Sequence, residues 1–256
     1  MSLSGSGDTG AAQPLPALFP APEPDGSARP RSGPATSSPR RRSGPVTSGA
    51  SPPSPAAQQA EDAMRQLVFF GAEAAEPTVA DLAGLLAGPG EVVRMGGTAR
   101  LSVRVDAAWR VHVLVAELAL RGLAASWEPI GDERHAVRTS YTRVVQPLAV
   151  AWLHGPVKRP PATFHLTGRR LRLWLAAAGT PEPSGGFLLG LGEGDQECWE
   201  PIGTALAAAG LDGALIGPGE GGPGYRISGR RRLGRLAELV GGPPRAAPAD
   251  AWPTRP

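Results

Sequence analysis

The sequence predicts an α+β fold of two successive α-β-β-α-β-β-α halves with antiparallel sheets, preceded by a disordered tail. Three observations carry this reading. The same order of apolar helices and alternating strands runs twice between Thr78 and Gly241. The long helix of each half leaves through a matching phrase, LRGL at Leu120 and AAGL at Ala208, with a strand following. Residues 1–60 are almost wholly Pro, Ala, Ser, Gly and Thr, too poor in large apolar side chains to offset the entropy of ordering. The chain therefore divides into a tail (1–60), a first half (61–156), a linker (157–166), a second half (167–242) and a disordered C-terminal tail (243–256).

The first half opens on TVADLAGLLAGPGE, a small-residue helix stopped by Pro89 and its flanking glycines. After a turn, TARLSVRV alternates as a strand with one wet face. AAWRVHVLVAELALRGL is amphipathic, with Asp106 placed to cap its start and Gly122 its exit. The strands LAASWEP and HAVRTSY and the helix PLAVAWLHG close the half, and the prolines of GPVKRPPATF favour a stiff, extended connection. The second half repeats the plan: helix TGRRLRLWLAAAG, strand GGFLLGLG, helix QECWEPIGTALAAAGL between Asp195 and Gly210, strands DGALI and GYRIS, and helix GRRRLGRLAELVG. Trp109, Trp127, Trp152, Trp174 and Trp199 fall inside these elements, where core packing is the expected role.

Two helices invite comparison, Leu82 to Gly90 and Leu171 to Gly179. Each begins with Leu, carries small residues in its last turn and ends at Gly, so their backbones can cross closely between the halves. The first resembles the LAGLIDADG signature through LAGL and the closing Gly. The doubled plan, over Thr78 to Gly241, is similar to that of the single-chain LAGLIDADG homing endonucleases. The resemblance implies paired helices between the halves, two four-stranded antiparallel sheets forming a saddle over DNA, and one metal-binding acid per helix just before the final Gly. Those positions are Pro89 and Ala178, which cannot hold a metal. No catalytic or metal-binding residue is therefore expected, and no cofactor. The chain is similar in this to the non-cleaving modules of actinobacterial sporulation regulators, which implies a double-stranded-DNA-binding pseudoenzyme, a regulator, acting as a monomer through its internal pseudo-dimer. Two other readings stay open: cleavage by the displaced acids Glu91 and Glu182, and a scaffold whose saddle grips a protein partner.

Composition bounds these readings. The pI near 9.7 suits a polyanion partner. However, the net charge is only +3, and the five arginines of residues 1–60 set against Asp8, Glu23 and Asp25 account for +2 of it. Nucleic-acid binding then depends on local clusters. Arg100, Ser102 and Arg104 share one strand face, and Arg138 and Ser140 share another. Arg94 and Arg143 lie near them in the chain, Lys158 and Arg159 stand on the linker within reach of phosphate, and Arg226 is the second half's counterpart. Arg230, Arg231 and Arg232 belong to the closing helix, behind the sheet. A continuous basic strip on the wet face favours DNA; a mixed face favours a protein. The lone Cys198 allows no internal disulfide, and the absence of a basic leader or long apolar run predicts a cytoplasmic protein with no membrane partner.

Overall fold

The computed structural model describes Ala72 and residues 76–220 and 222–254. The expected tail, residues 1–60, lies outside them. A 3-10 turn, Val79–Leu82, runs into helix α1 (Ala83–Ala87). Strands β1 (Glu91–Met95) and β2 (Thr98–Val105), helix α2 (Ala108–Ala119) and strands β3 (Ala125–Pro129) and β4 (His135–Thr139) follow, before helix α3 (Gln146–Trp152). The second half is α4 (Gly168–Ala178), β7 (Gly179–Glu182), β8 (Gly186–Gly190), α5 (Gln196–Ala208), β9 (Ala214–Ile216), β10 (Gly224–Ile227) and α6 (Arg230–Val240). The sheets are antiparallel, four-stranded and of identical topology, β1-β2-β4-β3 and β7-β8-β10-β9. Thus the predicted plan is present twice. Its first strand in each half had no segment assigned to it: β1 falls where the sequence showed a turn, and β7 between the expected helix and the strand GGFLLGLG.

Matching exits make the parallel concrete. Leu123 N–H donates to Leu118 O at 3.0 Å and Leu211 N–H to Leu206 O at 2.9 Å, while Gly122 and Gly210 take φ of 69° and 78°. These are Schellman closures, in which a residue without a Cβ turns the chain left-handed and frees the next leucine to pack inward. All four leucines are buried. One continuous core joins the halves, with Trp152 and Trp174 fully enclosed. Trp127, expected in the core, is instead 53% exposed, because β3 is an edge strand.

α1 and α4 cross at the centre. A Cβ at Gly84 would stand 1.9 Å from the backbone oxygen of Arg170, and one at Gly88 would stand 2.5 Å from the Trp174 indole. The glycines of the signature are therefore what lets the helices touch.

Two boundaries differ from expectation. The linker begins as a two-stranded hairpin, β5 (Leu153–His154) with β6 (Val157–Lys158), turning at Gly155 with φ 65°. The C-terminal segment, expected as a tail, folds back through a 3-10 turn, Ala249–Ala251. It buries Trp252, whose Nε1 donates to Gly241 O at 2.9 Å and whose ring lies under the Arg172 guanidinium. Pro253 beside it is buried as well, so one large apolar ring and its neighbour anchor a segment whose other described residues are exposed or half-buried.

Candidate nucleic-acid interface

Pairing register fixes which side chains share the outer face of the first sheet. Ser102 stands opposite both Glu91 and Arg138, Arg138 opposite Ser126, Arg104 opposite Ala136, and Arg100 opposite Val93. Directly paired residues point to one side. Arg100, Ser102, Arg104 and Arg138 therefore lie together, as the alternation predicted, around a shallow depression of about 100 Å³. Ser140, exposed just beyond β4, continues their row, its N–H held by Ala124 O. The Arg100 guanidinium covers the Tyr141 ring at 4.9 Å.

That face is not a basic strip. Glu91 on β1 approaches Arg104 at 3.4 Å, and Glu128 on β3 accepts from Arg138. In the second half Glu182 takes the Nε of Arg226 with both oxygens at 2.8 Å. The glutamates balance most of the charge that the arginines bring. Ser126 and Glu128 escaped the sequence reading although ASWEP alternates as plainly as TARLSVRV does.

Other expected contacts are placed differently. Arg94 pairs with the buried Ala99 and so shares the parity of Val92, on the side opposite Arg100. Proximity along the chain had concealed that flip. Arg143 is exposed at the start of a 3-10 turn, Arg143–Val145, and Arg159 is exposed beside α5, near Pro201 and Thr204. Lys158, expected at phosphate, is 6% exposed and faces inward. Its Nζ donates to Gly88 O at 3.1 Å and Gly90 O at 2.7 Å, and it meets Asp195 Oδ2 at 2.5 Å. Three oxygens at the end of α1 and the start of α5 outbid solvent for this ammonium.

Arg110, which sequence reasoning passed over, does the same for α4. Its Nη1 reaches Leu175 O at 3.2 Å and Ala176 O at 3.0 Å, its Nη2 reaches Gly179 O at 2.6 Å, and its Nε reaches Asp106 Oδ1 at 2.7 Å. Burial lowers its pKa below the ordinary guanidinium value, with Asp106 opposing the shift. Asp106 and Asp195 were expected to cap helices; neither makes a side-chain cap, and Ala107 is the N-cap of α2. Each instead holds a cation at the carbonyl end of a central helix, where the macrodipole is negative. An Arg four residues after an Asp, at the start of an amphipathic helix, was the available signal. Arg110 and Cys198 both stand twelve residues before a glycine exit, so Cys198 occupies in α5 the place of Arg110 in α2. Its Sγ lies 3.2 Å from Lys158 O, beside the lysine that takes over the capping role.

These helix ends do not suit a divalent metal. Pro89 and Ala178 offer no carboxylate, and the nearby carbonyls already face two protein cations. Glu91 and Glu182, the displaced acids, are held by Arg104 and Arg226. Among the described residues no helix is long and apolar enough to cross a membrane.

The closely crossing central helices and the two antiparallel sheets of identical strand order make the duplicated α+β architecture that the sequence predicts. Among solved structures the chain is similar to the homing endonuclease I-WcaI bound to its DNA recognition sequence. The TM-score is 0.48 at 12% identity, covering 73% of this chain and 88% of that one. It is also similar to mesophilic variants of the homing endonuclease I-DmoI, with TM-score 0.37, 14% identity and coverage of 63% and 94%. I-DmoI in complex with DNA and Mn gives TM-score 0.38, 13% identity and coverage of 64% and 98%. No family description and no curated protein matches the sequence.

Proposed function

We propose that this chain binds double-stranded DNA without cleaving it, through the outer face of its first sheet, as a monomeric regulator. One observation carries the reading: Arg100, Ser102, Arg104, Ser126 and Arg138 are in register on one open face. Arginine forks and small hydroxyls are suited to phosphate oxygens and guanine edges, and the interspersed glutamates can accept from cytosine amino groups. Loss of cleavage follows from the two helix ends, where cations replace the acids that metal chemistry needs.

A second reading, a protein-binding scaffold, is favoured by the mixed charge of that face, whose acids stand together with Val93 and Met95, 43% and 58% exposed on its edge strand. One experiment separates the two. Fluorescence anisotropy with a labelled duplex across a salt series compares the parent chain with an Arg100→Ala/Arg104→Ala/Arg138→Ala variant and an Arg230→Ala/Arg231→Ala/Arg232→Ala variant. On the DNA reading the sheet variant binds less tightly, with a shallower salt dependence by up to about one unit of slope per lost phosphate contact. The helix variant changes little. Equal losses from both reduce the binding to diffuse charge, and no binding by the parent at low salt favours the scaffold. Supercoiled plasmid in Mg²⁺ or Mn²⁺ should remain intact; nicking abolished by Glu91→Gln refutes the loss of catalysis.

A further inference from the structure

A cleft of about 360 Å³ lies where the N-terminal parts of α1 and α4 meet α3 and the linker. Leu148 of α3 and Phe164 of the linker form its apolar walls, Ala83 of α1 and Trp152 of α3 lie in its floor, and Arg170 of α4 supplies its charge. Its size falls within the range of small-molecule sites, which combine apolar walls with a few polar groups. Trp152 and Phe164 meet edge to face at 5.1 Å, giving one rigid corner.

Arg170 is the unusual member. Its Nη1 donates to His165 O at 2.6 Å and its guanidinium leans over Phe164 at 5.6 Å, but its Nε is buried with no acceptor. Burial lowers its pKa, opposed by the charge of Asp81. That carboxylate is already engaged, its Oδ2 accepting from Thr78 N–H at 2.7 Å and from Arg121 Nη2 at 3.2 Å. A guanidinium beside apolar walls, with donors left over and no carboxylate of its own among the described residues, is complementary to an anion carrying a hydrocarbon body.

We propose that this cleft binds a small amphiphilic carboxylate, its head on the Arg170 guanidinium and its chain against Ala83, Leu148, Trp152 and Phe164. The site is distinct from the sheet face and does not depend on DNA binding. Because the cleft touches both central helices, occupancy also braces the contact between the halves.

Isothermal titration of the full chain with decanoate, well below micelle formation, tests the proposal, with decanol as the uncharged control. The expected result is saturable one-to-one binding of decanoate, tighter than decanol by about tenfold or more, as a charge-assisted hydrogen bond provides. Arg170→Gln should abolish that preference while leaving decanol binding in place. Ala151→Phe, at an exposed position on the cleft wall, should weaken both ligands without loss of the folded state. Equal affinity for the two ligands, decanoate binding unchanged in Arg170→Gln, affinities unchanged in Ala151→Phe, or no saturable binding at all would each overturn the proposal.

Discussion

Replacing Arg110 with Met should destabilise the fold by about 3–4 kcal/mol, and the structure shows where the loss arises. Met keeps much of the stem's packing near Trp109, and Asp106, whose side chain is 68% exposed, returns to water at little cost. The carbonyls of α4 fare differently. Leu175 O keeps the N–H of Gly179, but Ala176 O and Gly179 O lose the donor that Arg110 brings. Each buried acceptor left without a partner costs about 1–3 kcal/mol, so the two together cost about 2–6 kcal/mol, and the total above is the middle of that range. At roughly 2–4 °C per kcal/mol for a domain of this size, the midpoint of thermal unfolding should fall by about 10 °C. Arg110→Lys, with charge but no fork, should recover about half. Circular dichroism melts with matched urea titrations measure both. A midpoint within about 2 °C of the parent would show that water or a shifted helix end serves those carbonyls, and the capping argument would fail.

Other outcomes follow from the same geometry. Gly84→Ala should cost at least about 3 kcal/mol, since the new Cβ would collide with backbone; a melt within 1 °C of the parent refutes the close crossing. Trp252→Ala should destabilise by about 3 kcal/mol, whereas an inert truncation after Gly242 would restore the view of residues 243–256 as a tail. Burial pushes the Cys198 thiol up to about 11 from an ordinary value of 9.0, so iodoacetamide at pH 8 should leave the native chain unmodified and alkylate it in urea. The sign for stability follows: the unfolded thiol ionises first, so stability falls as pH rises from about 9.0 towards 11, and Cys198→Ala should flatten that part of the profile.

Most of the fold was legible because its signals are local. Alternation located β2 to its end residues, and the Leu-Gly-Leu exits located both long helices. β1 and β7 were harder: EVVRM is a short run ending at Gly96-Gly97, and GTPE contains Pro181, which a strand tolerates only at an edge such as this. The face of Arg100, Ser102, Arg104 and Arg138 was legible for the same local reason. What each arginine pairs with was not, because Glu91, Glu128 and Glu182 come from neighbouring strands whose register no single segment specifies. Lys158 shows the limit most clearly. Between prolines and beside Arg159 it has the neighbours of a surface residue, and only the three-dimensional meeting of α1, α5 and the hairpin makes it a core one.

The two buried cations also bear on whether the halves could ever live apart. Arg110 leaves the first half to serve the central helix of the second, so two copies of the first half could in principle serve one another by symmetry. Two copies of the second half could not: Cys198 is too short to reach a helix end, and the lysine standing in for it enters on the connecting segment. Cutting that connection would strand Asp195 and the carbonyls of Gly88 and Gly90 together. The connector thus works as a shared organ of both halves, and the chain has traded the freedom to exchange partners for a single, obligatory pairing.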